Sequence, residues 1–207
     1  MSAPEPSAGE PEAAAPPAYL DMTVGRFLDE LSATTPDPSG GGVAALAVTL
    51  AAGLCVMTAG LSARHLPEAP RLAEQAERLR DRAAPLAQAD AEAYRTVIAA
   101  LRARDTAAPG KPQMAAALSQ ASVVPMQVAE IGAEVAALAA AIATGGNPNV
   151  RGDAVTAALL AAAGSRAAAA LVRINLAGTE NDNRPARADR LAAEASHLAA
   201  ETERSAR

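Results

Sequence analysis

Apolar residues recur at helical spacing from residue 23 onward. The first set, at i, i+3, i+4 and i+7, comprises Val24, Phe27, Leu28 and Leu31. This spacing predicts an amphipathic helix that begins near Thr23. We expect the helix to end by Pro36 and Pro38, because the residue before a proline avoids the α-helical region.

A long uncharged segment follows. Residues 38–63 contain no Asp, Glu, Lys or Arg, and Gly40, Gly41 and Gly42 stand near its start. The segment is long enough to cross a bilayer. However, it is rich in Ala, Gly and Thr and lacks the aromatic belt of a membrane span, and the other predicted helices are amphipathic. We therefore favour a buried central helix and no membrane span, with a transmembrane helix as the alternative.

Prolines and glycines divide the rest of the chain into further predicted helices. The first segment runs from the turn at Pro67 and Pro70 to about Arg104, with a kink or break at Pro85. The second runs from a turn at 109–112 towards Val124, and the third from Pro125 to about Thr144, where Gly145 and Gly146 stop the helix. The fourth runs from about Asp153 to Leu176. The charged segment 182–205 is predicted to be a solvated, amphipathic or frayed final helix.

The composition favours an all-α protein. Half of the 207 residues are apolar but only 1% are aromatic, and alanine, the best helix former, supplies most of the apolar count. We predict one domain over 20–205, a bundle of about six to seven helices around a buried Ala/Gly-rich central helix. A helix face made of alanine buries little apolar area, so the chain gains stability when such faces pack against a second subunit. We therefore also expect a homodimer.

Charge and rare residues exclude several classes of protein. A net charge of −5 and three aromatic side chains argue against nucleic-acid binding. One cysteine, Cys55, excludes an internal disulfide, and with two histidines an all-protein metal centre is not expected. Residues 1–18 hold five prolines, three glutamates and no basic residue. We expect a disordered tail over 1–19 and, with no secretory signal pattern, a cytoplasmic protein.

Asp90 is the polar residue that departs most from the helical pattern. It projects onto the same helix face as Leu86, Val97 and Leu101. A carboxylate on an apolar face is costly unless it is paired, hydrogen-bonded or protonated. One interpretation is an ion pair with a buried arginine such as Arg173. The other is a general acid or base whose pKa is tuned by partial burial.

Other polar or glycine positions are weaker candidates. Gly40–Gly42 before a helix could bring backbone N–H groups close to a ligand, although on their own they fit a glycine turn between helices better. Asn147 and Asp153 flank the start of an Ala-rich helix, where Asp153 could be a helix cap. Asn175 is an amide in an apolar helix end and could bond a nearby backbone carbonyl.

Taken together, these segments resemble the cyclodeaminase/cyclohydrolase family, which includes the cyclodeaminase domain of formiminotransferase-cyclodeaminase and stand-alone methenyltetrahydrofolate cyclohydrolases. The similar segments are FLDEL at 27–31, PDPSGGGVAA at 36–45, ADAEAY at 89–94, VPM at 124–126, GNPN at 146–149, GDA at 152–154 and VRIN at 172–175. Their order and spacing hold from about residue 22 to 178.

The resemblance implies an all-helical, dimeric enzyme that acts on one-carbon derivatives of tetrahydrofolate. Asp90 matches the family's acidic-helix aspartate, whose proposed role is proton transfer. The site-lining elements map onto the glycine loop at Gly40–Gly42, onto Asn147 and Asp153, and the Val-x-Ile-Asn element onto Asn175. We expect a folate substrate and no tightly bound cofactor. The resemblance leaves cyclohydrolase and cyclodeaminase activity both open.

The chain also departs from the family pattern. Ser39 precedes the glycines, so the usual serine after them is missing, and Gln88 replaces the first acid of the acidic motif. Arg64 and His65 stand where the family has lysines that could meet an anionic folate tail, and Arg64 is a partial substitute. These departures motivate a second hypothesis, a non-catalytic helical family member that binds folate or a partner protein.

Overall fold

The protein is built from packed helices. The structure, a computed structural model, describes residues 18–106, 111–179 and 181–206. These ranges contain short 3-10 turns at Tyr19–Asp21 and Pro148–Val150 and no strand. The α-helices are α1 (Val24–Leu31), α2 (Gly40–Gly60), α3 (Ala69–Ala83), α4 (Leu86–Thr106), α5 (Lys111–Ala121), α6 (Val123–Gly145), α7 (Arg151–Asn175) and α8 (Arg184–Ser205). Within the described ranges, six of the helices have 15 residues or more, so the predicted all-α bundle is confirmed.

Helix α2 is the predicted central helix and packs closely on α7. A Cβ atom on Gly164 of α7 would lie 2.6 Å from Cγ2 of Val48 and 3.0 Å from the carbonyl oxygen of Ala44. Only a glycine therefore permits this helix separation. The C-terminal Asn175 of α7 lies beside Gly40 at the start of α2, while Asn147, before α7, bonds Ser62 just after α2. The two helices therefore run antiparallel.

One face of α2 remains uncovered. Val43, Leu50 and Met57 are exposed, and Leu50 most strongly at 64%. Because they are seven residues apart, they form one stripe along the helix. By length and composition alone, α2 and the stretches Pro112–Gly145 and Pro148–Asn175 could each cross a membrane, although half or more of each apolar window is buried inside the fold.

Most of the sequence-based boundaries are confirmed, with one difference. The chain breaks between α3 and α4 at Pro85, as predicted. The last helix is the amphipathic one of the predicted alternatives, because Ala188, Ala195 and Ala199 on α8 are buried. Tyr19, assigned above to the tail, is also buried and packs edge-on against Phe27. Residues 1–17 of the predicted tail, and Pro109 and Gly110 of a predicted turn, lie outside the described residues.

Candidate active site

The site is centred on Asp90 in the first turns of α4, where α4 meets the start of α2. Asp90 is only 8% exposed. The hydroxyl of Ser39 donates a 2.7 Å hydrogen bond to its Oδ2 atom. The ion-pair interpretation is wrong, because Arg173 pairs instead with Asp189 on α8, and both side chains are about half exposed. Asp90 is therefore a buried carboxylate held by a neutral donor.

The glycines at the start of α2 make this contact possible. A Cβ atom on Gly41 would lie 2.2–2.3 Å from both oxygens and the carboxyl carbon of Asp90, which no real contact permits. The missing side chain thus lets the carboxylate lie against the first turn of α2. There the backbone N–H of Gly42 also bonds it. A helix N-terminus offers N–H groups without helical partners and a partial positive charge, which suits an anion.

Burial and hydrogen bonding act on the pKa of Asp90 in opposite directions. Desolvation raises it, and this is the largest influence. The bonds from Ser39 and Gly42 lower it, and the nearby charge of Asp37 raises it again. The result is a pKa above the ordinary value for aspartate. Such a carboxylate holds a proton more readily than a surface aspartate, as a general acid or base must.

A cavity of about 230 Å³ opens in front of Asp90. Its lining residues are Ser39, Gly40, Gly41, Asp90, Tyr94, Ala121, Pro125, Leu171 and Asn175. The amide nitrogen of Asn175 lies 3.5 Å from the carbonyl oxygen of Ala121, a long contact that leaves the amide able to turn towards a ligand. One carboxylate, one amide and two hydroxyl-bearing side chains, Ser39 and Tyr94, thus line a small, mostly apolar cavity, as in many ligand sites.

Other features of the described residues offer less chemistry. A larger groove of about 540 Å³ between α7 and α8 is lined by alanines, Ser196, Arg166 and Arg173, with no carboxylate among its lining residues. No three His, Cys, Asp or Glu side chains in the described ranges come together as metal ligands would. Cys55 is fully buried, which raises the pKa of its thiol to about 12, as expected of an inert, packed thiol.

Comparison with known proteins identifies the family. The family model described as formiminotransferase-cyclodeaminase matches residues 23–196. The chain belongs to this family. It is 34% identical over 169 residues to a methenyltetrahydrofolate cyclohydrolase of Methylorubrum extorquens, covering 77% of this chain and 81% of that protein.

A solved structure shows the same fold. The crystal structure of formiminotetrahydrofolate cyclodeaminase from Thermotoga maritima superposes with a TM-score of 0.75. The match covers 88% of this chain and 92% of that one, at 24% identity. At that identity the superposition is evidence for the shared helical architecture.

The structure brings together only some of the residues predicted from the sequence. Gly40, Gly41, Asp90 and Asn175 line one cavity, and Gly42 bonds Asp90. Arg64, Asn147 and Asp153 do not line that cavity. They lie at the opposite end of α2, which has 21 residues and is therefore about 30 Å long.

At that far end, Asn147 organises a turn. Its side-chain oxygen accepts a 3.0 Å bond from the backbone N–H of Asn149, and its amide donates to the Leu61 carbonyl at 3.2 Å. Its backbone N–H donates to the hydroxyl of Ser62 at 2.9 Å. Asp153 lies in the first turn of α7 without capping it, since the N-cap residue is Val150.

Sequence reasoning missed two polar residues that line the Asp90 cavity, Ser39 and Tyr94. Ser39 stands at the N-cap of α2 but makes no capping bond, so its hydroxyl is available to Asp90. No sequence signal distinguishes this serine from an ordinary cap. Tyr94 is four residues after Asp90, and that spacing does place it on the same helix face. Gln88, a departure from the family pattern, accepts a 3.3 Å bond from the backbone N–H of Tyr19 and lies outside this cavity.

Proposed function

We propose that the protein is a methenyltetrahydrofolate cyclohydrolase in which Asp90 transfers protons. The observation that carries this proposal is the buried carboxylate of Asp90, held by Ser39 in a small cavity. Membership of the family and 34% identity to a methenyltetrahydrofolate cyclohydrolase supply the substrate class. Formiminotetrahydrofolate cyclodeaminase is the alternative reaction, since it acts on the same one-carbon unit.

Asp90 takes part in two proton transfers in this reaction. Ionised Asp90 accepts a proton from a water molecule as that water attacks the electrophilic methenyl carbon between N5 and N10. The carbon–N5 bond then breaks, Asp90 returns its proton to N5, and the hydroxyl proton leaves to solvent. The products are 10-formyltetrahydrofolate and one proton. A raised pKa suits both steps, because the carboxylate must first take the proton and then release it.

The experiment is the loss of methenyltetrahydrofolate absorbance with wild type, Asp90→Asn and no protein. We expect wild type to accelerate the reaction and Asp90→Asn to lose about 10²–10⁴-fold. Equal rates for the two proteins would overturn the role of Asp90. If wild type does not accelerate the reaction, the same comparison is made with the formimino substrate. Tight folate binding without turnover of either substrate would instead favour the non-catalytic alternative.

We also propose that the exposed stripe of α2 is covered by a second copy of the chain. A two-fold axis through Leu50 would pack the two α2 helices antiparallel and set Val43 against Met57 of the partner subunit. Such a contact removes from water the apolar surface that the single chain leaves exposed. Because the partner subunit would cover the apolar face of α2, no bilayer is needed to cover it. We therefore expect the protein to remain in solution without detergent.

This arrangement would also bring the predicted site residues at the two ends of α2 close together. In an antiparallel pair, the start of one α2 lies beside the end of the other. Asp90 lies at the first end and Arg64, Asn147 and Asp153 at the second. We propose that each active site combines Asp90 of one subunit with these three residues of its partner.

Mixing two inactive variants tests the shared site. Asp90→Asn and Asp153→Asn are each expected to lose activity as homodimers. After unfolding and refolding together, a mixed dimer would contain one site with both substitutions and one intact site, so activity should return. Separately refolded variants, mixed without exchange, are the control. No recovery, with mixed dimers demonstrated by differential tagging, would contradict a site shared between subunits.

A further inference from the structure

A second groove along α4 adjoins the Asp90 cavity. This groove has a volume of about 350 Å³ and is lined by Pro36, Asp37, Tyr94, Arg95, Ile98, Ala99 and Arg102. Tyr94 lines both spaces, and its side chain is 39% exposed. The groove and the catalytic cavity are therefore neighbours that share one aromatic wall.

The order of side chains along α4 gives the groove a direction. Asp90, Tyr94 and Ile98 follow at four-residue intervals, and Arg102 comes one interval later. Each interval is about 6 Å along the helix axis. Helical side chains lean towards the N-terminus of their helix, which is the direction from Arg102 to Tyr94, and both residues line the groove. Along α4, the Asp90 carboxylate is therefore followed by the ring of Tyr94, the aliphatic side chain of Ile98 and the guanidinium of Arg102.

Arg95 supplies a second cation that is already held in place. Its Nε donates to Oδ2 of Asp37 at 3.2 Å, and its side chain is about half exposed. One guanidinium edge is thereby used, and the terminal N–H groups remain for a ligand. Asp37 is the one carboxylate among the residues lining the groove, against two guanidinium groups. The groove consequently has a positive balance in a chain whose net charge is −5.

The volume of the Asp90 cavity indicates that a whole folate must extend beyond it. At about 230 Å³, the cavity is below the range of about 300–1,000 Å³ usual for ligands of drug size. A tetrahydrofolate has a pterin, an aminobenzoyl ring, and a glutamate with two carboxylates. If the one-carbon unit lies at Asp90, the ring and the glutamate need an adjoining space.

We propose that the groove along α4 binds the aminobenzoyl-glutamate tail of the substrate. The aminobenzoyl ring packs on Tyr94, and the glutamate carboxylates accept hydrogen bonds from Arg95 and Arg102. Guanidinium groups match carboxylates in geometry and charge. This inference rests on the proposed function, since it assumes a folate substrate.

The test compares two substrates that differ only in the tail. Methenyltetrahydrofolate carries the glutamate, and methenyltetrahydropteroate lacks it. We expect wild type to prefer the folate in kcat/KM, and this preference to fall about tenfold in Arg95→Ala and in Arg102→Ala, through KM more than through kcat. Arg78→Ala, which removes an exposed arginine of α3, is the matched control and should keep the preference.

Direct binding separates failure of this inference from failure of the proposed function. Calorimetry with 5-formyltetrahydrofolate and its pteroate analogue needs no turnover. A wild type that neither binds nor converts any folate overturns the proposed function, and the inference with it. A wild type that converts both substrates equally well overturns only the tail site. A loss of preference in Arg64→Ala that Arg95→Ala and Arg102→Ala do not share also overturns the tail site, since it would show that Arg64 of the partner subunit binds the tail instead.

Discussion

The Ser39 hydroxyl bonds the Asp90 carboxylate at 2.7 Å across 51 positions of sequence. The bond links the N-cap residue of α2 to the buried acid of α4. It stabilises the ionised form of Asp90 and so works against burial, which stabilises the protonated form. Burial and hydrogen bonding thus shift the pKa of Asp90 in opposite directions, and the bond from Ser39 can be removed without changing the surrounding apolar residues.

Ser39→Ala should move the pH dependence of activity towards higher pH. Loss of the hydroxyl removes a bond that lowers the pKa of Asp90, so the carboxylate is protonated over a wider range. A general base is active only when ionised, so the acid limb of kcat/KM against pH should shift upward. Ser39→Thr keeps a hydroxyl and should retain a profile close to wild type. Superimposable profiles for wild type and Ser39→Ala would contradict this role.

Gly41→Ala should abolish most activity while the chain still folds. The added methyl group would overlap the carboxylate of Asp90, so Asp90 or the first turn of α2 must move. A displacement of about 1 Å at a reacting group can cost about 10²-fold in rate. Gly25→Ala is the control, because nothing lies within 4 Å of a Cβ at that helical position. Circular dichroism checks the fold of both, and similar turnover in the two variants would refute the contact.

Asp90→Asn should be more stable than wild type at neutral pH. The folded-state pKa of Asp90 is raised, so its stabilising contribution is present below the unfolded-state pKa and is lost as pH rises through the folded-state value. The asparagine cannot ionise and avoids this loss. The melting-temperature difference between variant and wild type should therefore grow from about pH 4 to about pH 7. A difference that shrinks over this range would mean that Asp90 is better accommodated when charged.

Leu50→Glu should convert the proposed dimer to a monomer. Leu50 lies at the middle of the exposed α2 stripe, where a two-fold axis would bring two glutamates together. Leu28→Glu places the same change on an exposed leucine of α1 and serves as the control. Light scattering at micromolar concentration should give twice the chain mass for wild type and Leu28→Glu. A wild-type monomer would contradict the assembly.

Much of the fold was predictable because its signals are local. Pro85 breaks the helix where α3 ends and α4 begins, and the apolar spacing of residues 24–31 matches α1. Asp90 was identified because a carboxylate among apolar positions is visible in one helix. Leu101, projected onto the same face, is exposed instead, since projection describes a helix but not where its neighbours lie.

Contacts between segments far apart in the chain could not be predicted from the sequence. The bond from Ser39 and the close approach of Gly41 depend on how α2 docks on α4, which no local pattern encodes. The division of the predicted site between the two ends of α2 is of the same kind. The family pattern names Asn147 and Asp153 together with Asp90, whereas the packed chain holds them about one helix length apart.

The antiparallel course of α2 and α7 has a consequence for how activity responds to dilution. If each site takes residues from opposite ends of two α2 helices, an isolated chain carries two incomplete halves and no complete centre. Turnover per chain then depends on the fraction of paired chains, and falls once the concentration drops below the dissociation constant of the pair. Near that dissociation constant, total activity would therefore rise more than twofold when the amount of protein in the cell doubles.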